Sequence, residues 1–277
     1  MITSSPSPTP SEAPSQKYIH GHHASVLRSH SWRTVENSAA YLIPYLTPGC
    51  SVLDVGSGAA TITVDMAERV APGRVVGLDA AASVIDGVNA RHADIPQLSF
   101  IVGDAFALPF ADDSFDVVHA HQVLQHLPDP VAALREFRRV VRPEGVVGVR
   151  DVDYIAAVWY PELPGLDKWR TLYQRTARAN AGEPNAGRRL KAWARAAGFT
   201  DIEATGSLWA FTNDADRQWW GGSWAERVLE SEFAASALRH GLATHAELQE
   251  IADAWLQWAT DPDATFLLPH GEVLARA

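Results

Sequence analysis

Between Val52 and Val149 short β-branched runs alternate with helical stretches, and this rhythm constrains the fold more than any other feature of the chain. SVLDV (51–55) reads as a strand that breaks at Gly56-Ser57-Gly58, after which 59–70 carries helical periodicity. RVVGLD (74–79), LSFIVGD (98–104), FDVVHAH (115–121) and VVGVRD (146–151) supply four further strands, with a helix over 81–92 between the first two of them. Asp129 is suited to cap a helix that runs to about Val141, because Pro130 fits its first turn and Val131, Leu134, Phe137, Val140 and Val141 share one face. Alternation at this spacing implies right-handed crossovers and a parallel sheet covered on both sides. The expected fold class is a doubly wound, mostly parallel seven-stranded α/β sheet.

After Asp153 the rhythm changes. Helices are expected over 163–180 and 188–197, the latter stopped by Gly198, then a strand over 199–211, a helical block over 213–260 and a final strand. The block lies between two strands of the sheet, so it reads as an insertion in one domain spanning 17–277. Within that domain, 17–48 form an N-terminal helical cover, 50–152 the cofactor-binding core, and 153–185 with 213–261 a lid. The Pro/Ser-rich stretch 1–16 is expected to be disordered and lacks the basic and apolar regions of a secretory signal. A net charge of −10 with no basic stripe disfavours a nucleic-acid partner, since such affinity rests on clustered Lys and Arg. One cysteine, Cys50, fits a reducing cytoplasm, and no apolar run approaches the roughly 20 residues that span a bilayer. The expected partner is a small molecule rather than a membrane, and homodimer formation is left open.

The most informative residues are VLDVGSGAA (52–60). A strand that ends in Gly-x-Gly and enters a helix lets backbone approach a ligand where helical N–H groups point outward. Asp54, two residues before Gly56, would repel a pyrophosphate but suits an ammonium group. Asp79 ends the second strand, where an acid can accept both ribose hydroxyls. Asp104 ends the third strand, where it can accept from an adenine amino group with Phe106 packed on the ring. Three carboxylates on consecutive strand tips suit a ligand with an amino acid at one end and adenosine at the other.

In order and spacing, LDVGSGAA, VVGLDA, GDAFALPFADDSFDVVHA, HQVLQHLPDP and EFRRVVRPEGVVGV resemble the motifs of class I S-adenosylmethionine-dependent methyltransferases of the ubiquinone/menaquinone-biosynthesis type. The resemblance implies a Rossmann-like fold and S-adenosyl-L-methionine as cofactor. It places Asp54, Gly56, Ser57 and Gly58 at the methionine end, Asp79 and Ala80 at the ribose, and Gly103, Asp104, Ala105 and Phe106 at the adenine. His121 and Gln122 would flank the methionine, and Tyr18 and Arg33 would reach the cofactor from the front segment. Ala60 stands where the family usually has a third glycine, which implies slightly tighter space.

Methyl transfer needs alignment of a nucleophile, exclusion of water and sometimes loss of a proton. The candidates for the proton are His22, His23, His126 and Asp151. Ten tryptophans, mostly in the second half, suggest an aromatic or hydrophobic acceptor held by Trp159, Trp209, Trp219 and Trp220. Trp219-Trp220-Gly221-Gly222 reads as a pocket wall that moves. His20, His22 and His23 are crowded, and His119 and His121 face one side of their strand, but no carboxylate or thiolate set accompanies them, so no metal site is expected. The rival readings are a non-catalytic cofactor-binding or regulatory protein and a nicotinamide-dependent oxidoreductase. The second needs a last glycine where Thr61 stands.

Overall fold

The computed structural model describes residues 32–277. In chain order the elements are α1 (Val35–Ser38), a 3-10 turn (Ala40–Tyr45), β1 (Val52–Val55), α2 (Thr61–Val70), β2 (Val75–Asp79), α3 (Ala82–Arg91), β3 (Leu98–Val102) and β4 (Phe115–His121). There follow α4 (Pro130–Val140), β5 (Val141–Val152), β6 (Val158–Tyr160), α5 (Pro164–Ala179), α6 (Leu190–Ala196) and β7 (Asp201–Phe211). Then come α7 (Asp214–Glu230), α8 (Glu232–Arg239), α9 (His245–Thr260) and β8 (Thr265–Arg276).

The sheet runs β3-β2-β1-β4-β5-β8, and the first five of these strands are parallel. β8 enters antiparallel between β5 and β7, pairing Val146 to Val152 with Arg276 to His270 on one flank and Phe211 with Phe266 on the other. The seven expected strands are therefore present, with an eighth. Short β6 continues the flank of β5 along β8, in a stretch read from the sequence as helical. Asp129 caps α4 by accepting from the Ala132 amide at 2.9 Å, and Leu134, Phe137 and Val140 are buried beneath it.

Strand alternation sorts the core into two layers. Leu53, Val55, Val118, Ala120, Val147 and Val149 face α4 and α6. Val52, Val117, Val146 and Leu274 face the opposite way, against Val35, Ala39 and Leu42 of the front segment and Met66 of α2. A third core fills the insertion, where Trp169, Trp224, Trp255 and Trp258 are fully buried with Phe211, Phe233 and Phe266.

The expected moving wall at Trp219–Gly222 is not found. These residues lie inside α7, and Trp220 is buried, stacked on Phe211 at 4.1 Å with planes 9° apart. Gly221 is there for close packing, since a Cβ on it would come within 2.7 Å of the Ala259 Cβ and 2.8 Å of the Trp255 carbonyl on α9. Gly222 has nothing within 4 Å of the same position. Gly221→Ala is therefore expected to lower stability by about 1–3 kcal/mol through overpacking, whereas Gly222→Ala raises it by about 0.5–1 kcal/mol through helix propensity. Thermal unfolding of the two variants checks this; equal effects would contradict the assignment of Gly221 to the helix crossing.

Candidate active site

The C-terminal edge of the parallel strands is shaped by left-handed backbone. Gly56 (φ +74°), Gly58 (φ +51°) and Ala60 (φ +69°) carry the chain from β1 into α2, and Gln122 (φ +55°) does the same after β4. A non-glycine residue held at positive φ is strained, and such strain gathers at ligand sites. A Cβ on Gly56 would collide with Val123, so the β1 loop lies directly on the segment that follows β4.

Asp79, at the tip of β2, is half-buried and accepts from the Gly58 amide at 3.1 Å and the Ala81 amide at 3.0 Å. Ala80 follows it at the surface. The next strand tip carries Gly103, packed on Leu78, and exposed Asp104, whose carboxylate accepts from the Phe106 amide at 2.9 Å. Ala105 and Phe106 pack against the core beside them. The hydroxyl oxygen of Ser57 is buried without a hydrogen-bond partner. This backbone cradle, flanked by two carboxylates on neighbouring strand tips, suits an adenosyl group.

Asp54 is more enclosed than a surface ligand contact. One of its oxygens meets His119 Nδ1 at 2.7 Å and the other accepts from the Thr63 hydroxyl at 2.6 Å. His119 is opposite Asp54 in the β1–β4 register, and it opens a polar row across one sheet face. In register, the row continues through His121, Arg150, Glu272 and Thr205, with His270 and Ser207 one step on. The rings of His119, His121 and His270 lie nearly parallel, with centroids 6.5 and 6.3 Å apart. Tyr41 of the front segment caps this face, and burial raises its hydroxyl well above the usual tyrosine range.

The row ends against aromatic rings. Trp209 sits 5.7 Å from His121 and 4.4 Å from His270, Trp32 meets Trp209 edge-on at 5.2 Å, and Trp219 packs on Trp32 at 5.7 Å. Arg33 donates to the Gln122 side chain at 2.8 Å and lies over the Trp209 ring. Trp209 and Trp219 are thus brought to the row, while Trp220 belongs to the packing behind it. Trp159 stacks on Phe266, in the same aromatic packing.

Two candidates for the proton stand elsewhere. Asp151 alternates to the other face of β5, where it is fully buried and accepts from the Gln125 amide at 3.2 Å. Burial pushes its carboxyl up to about 8, so at neutral pH it largely keeps its proton. His126 is half-buried beside the Gln125 side chain at 3.0 Å, and desolvation lowers it. Tyr18, His20, His22 and His23 lie outside the described residues. The sequence reading missed the Arg150–Glu272 pair and the Asp54–His119 bond. A charged residue inside the apolar run VVGVRD was the available signal for the first. Among the described residues no three of His, Cys, Asp and Glu are grouped to hold a metal ion, and no helix is long and apolar enough to cross a membrane.

Burial sets the pH profile of folding. His121 and His270 are held well below the usual histidine range by desolvation, and Arg33 and Arg150 add to it. Their contribution is present above about pH 6.5 and is lost as pH falls. Asp151 has the opposite sign: its contribution is complete below about pH 4 and is lost as pH rises through about 8. From these three groups, stability peaks near pH 6.5. Asp151→Asn is expected to remove the alkaline limb, gaining about 1–2 kcal/mol on the parent between pH 6.5 and 8. Urea unfolding at the two pH values checks this, and parallel curves for parent and variant would contradict it.

Known proteins share this construction. A methyltransferase-domain family profile matches residues 46–198. An uncharacterized methyltransferase of Schizosaccharomyces pombe is 33% identical over 270 residues, covering 93% of this chain and 95% of its own. A demethylmenaquinone methyltransferase of Lysinibacillus sphaericus is 40% identical over 101 residues, which is 36% of this chain and 43% of that protein. In three dimensions the YcgJ protein of Bacillus subtilis superposes with a TM-score of 0.55 at 20% identity, covering 90% of this chain and 98% of its own. The chain belongs to the class I S-adenosylmethionine-dependent methyltransferases.

Proposed function

We propose that the enzyme methylates a small, aromatic or hydrophobic molecule that is bound beside the polar row, near the cluster of Trp32, Trp209 and Trp219. One observation carries this reading: a row of buried polar side chains leads from the cofactor edge to packed indoles, all on one face of the sheet. The net charge of −10 also favours a small acceptor over nucleic acid.

When bound, S-adenosylmethionine supplies an electrophilic methyl group. The chain's own residues bind and align. Asp79 holds the ribose hydroxyls with the outer lone pairs that Gly58 and Ala81 leave open. Asp104, Gly103 and the Ala105 backbone frame the adenine, with Phe106 at its edge. Gly56, Ser57 and Gly58 admit the methionine end, and Gln122, clamped by Arg33, closes it from above. Asp54 works there through its charge and by anchoring His119 and Thr63. The indoles exclude water and lower the local dielectric, which favours a transition state in which the sulfonium charge is dispersed.

Calorimetry with S-adenosylhomocysteine tests the cofactor half of this assignment. Asp79→Ala and Asp79→Asn should each weaken binding about tenfold or more, the range for losing a hydrogen bond to a charged group. Unchanged affinity in both variants would remove Asp79 from the site.

A further inference from the structure

We propose that Arg150 receives an anionic oxygen of the methyl acceptor, such as a phenolate, enolate or carboxylate, on the sheet face it shares with His121. This rests on the methyltransferase reading and adds to it the charge of the substrate.

Arg150 stands in the middle of the sheet with no solvent exposure. A guanidinium buried there is tolerated only when it is paired and its donors are satisfied. Its Nε donates to the Ser207 hydroxyl at 2.9 Å and to Glu272 at 3.2 Å. The other Glu272 oxygen accepts from the Thr205 hydroxyl at 3.0 Å, so that carboxylate does not turn to the rest of the fork. Arg150 Nη1 and Nη2 are buried with no hydrogen-bond partner. Two parallel N–H donors in one plane match the two lone pairs of a carboxylate or the single strong acceptor of a phenolate.

The surrounding charge points the same way. Arg33 and Arg150 both lie over the Trp209 indole, 5.6 and 4.9 Å from its centroid. The titratable groups that interact with Arg150 include Glu272, Tyr41, Arg33, Asp151, His121 and His270. Burial keeps Tyr41, Asp151 and both histidines neutral, so of these groups Glu272 supplies the negative charge that faces Arg150. Asp54, further down the row, is already held by Thr63 and His119. His121 stands beside the fork with neither ring nitrogen bonded, so it can also meet the acceptor. A fork with two open donors and a neutral imidazole beside it fit an ionised oxygen.

The test uses the full chain saturated with S-adenosylhomocysteine, with 4-nitrophenolate and benzoate as probes against their neutral counterparts 4-nitroanisole and benzamide. At least one anion should bind about tenfold or more tighter than its counterpart, as expected for hydrogen bonds to a charged donor. Arg150→Met should abolish that preference, Arg150→Lys should keep part of it, and S-adenosylhomocysteine affinity should stay within about threefold in both. If Arg150→Met does not fold, the parent's preference and its reduction in Arg150→Lys still decide the matter. No anion preference in the parent, or a preference that survives Arg150→Met, overturns the proposal. Failure of the parent to bind S-adenosylhomocysteine would instead overturn the methyltransferase reading beneath it.

Discussion

The antiparallel entry of β8 between β5 and β7 is the constraint on which the site depends. Side chains alternate across a strand, so register decides which residues share a face. The pairing that sets Arg150 opposite Glu272 also sets Glu272 opposite Thr205 and His270 opposite Ser207. Residues separated by more than a hundred positions in sequence thereby form one continuous row. A slip of one residue would turn Glu272 to the other face and leave the Arg150 guanidinium buried without a counter-charge. That penalty makes the polar row a device for enforcing register, whatever it binds.

The two halves of the crevice are built by different means. Backbone dominates the proposed cofactor half: left-handed turns at Gly56, Gly58 and Ala60 shape the loop, and the Asp79 carboxylate is oriented by the amides of Gly58 and Ala81. Side chains dominate the proposed acceptor half, from His121 and Arg150 to Trp209. Gln122 joins the halves. Its amide donates to the Arg150 carbonyl at 2.7 Å, and its side chain meets both Arg33 and His270. A backbone cradle tolerates sequence change around it, whereas the acceptor half changes chemistry with each substitution. Such a division fits a fold that accommodates many substrates around one cofactor.

The same division explains what could be read from the chain alone. Gly56-Ser57-Gly58, Asp79 and Asp104 were legible because each sits at a strand end marked by local pattern, and strand order then brings them together. Arg150, Glu272 and His270 were not, because their meaning lies in a pairing between distant strands. The short strand β6 was missed because three residues carry too little periodicity to separate a strand from its helical surroundings. Trp219-Trp220-Gly221-Gly222 misled for a different reason. Paired glycines suggest flexibility, yet Gly221 lies where α7 and α9 approach too closely for a side chain. Asp151 was readable as an acid after the fifth strand, but not as one buried on the opposite face from the histidines.

The central claim is that one sheet face carries the cofactor's sulfur to the mouth of the polar row. A crystal structure with S-adenosylhomocysteine bound tests it most directly. The account predicts ribose hydroxyls on Asp79, the amino-acid end over Gly56 and Gly58, and the sulfur turned toward His121 and Arg150. A sulfur turned away from that row, or a ligand bound elsewhere on the molecule, would contradict it.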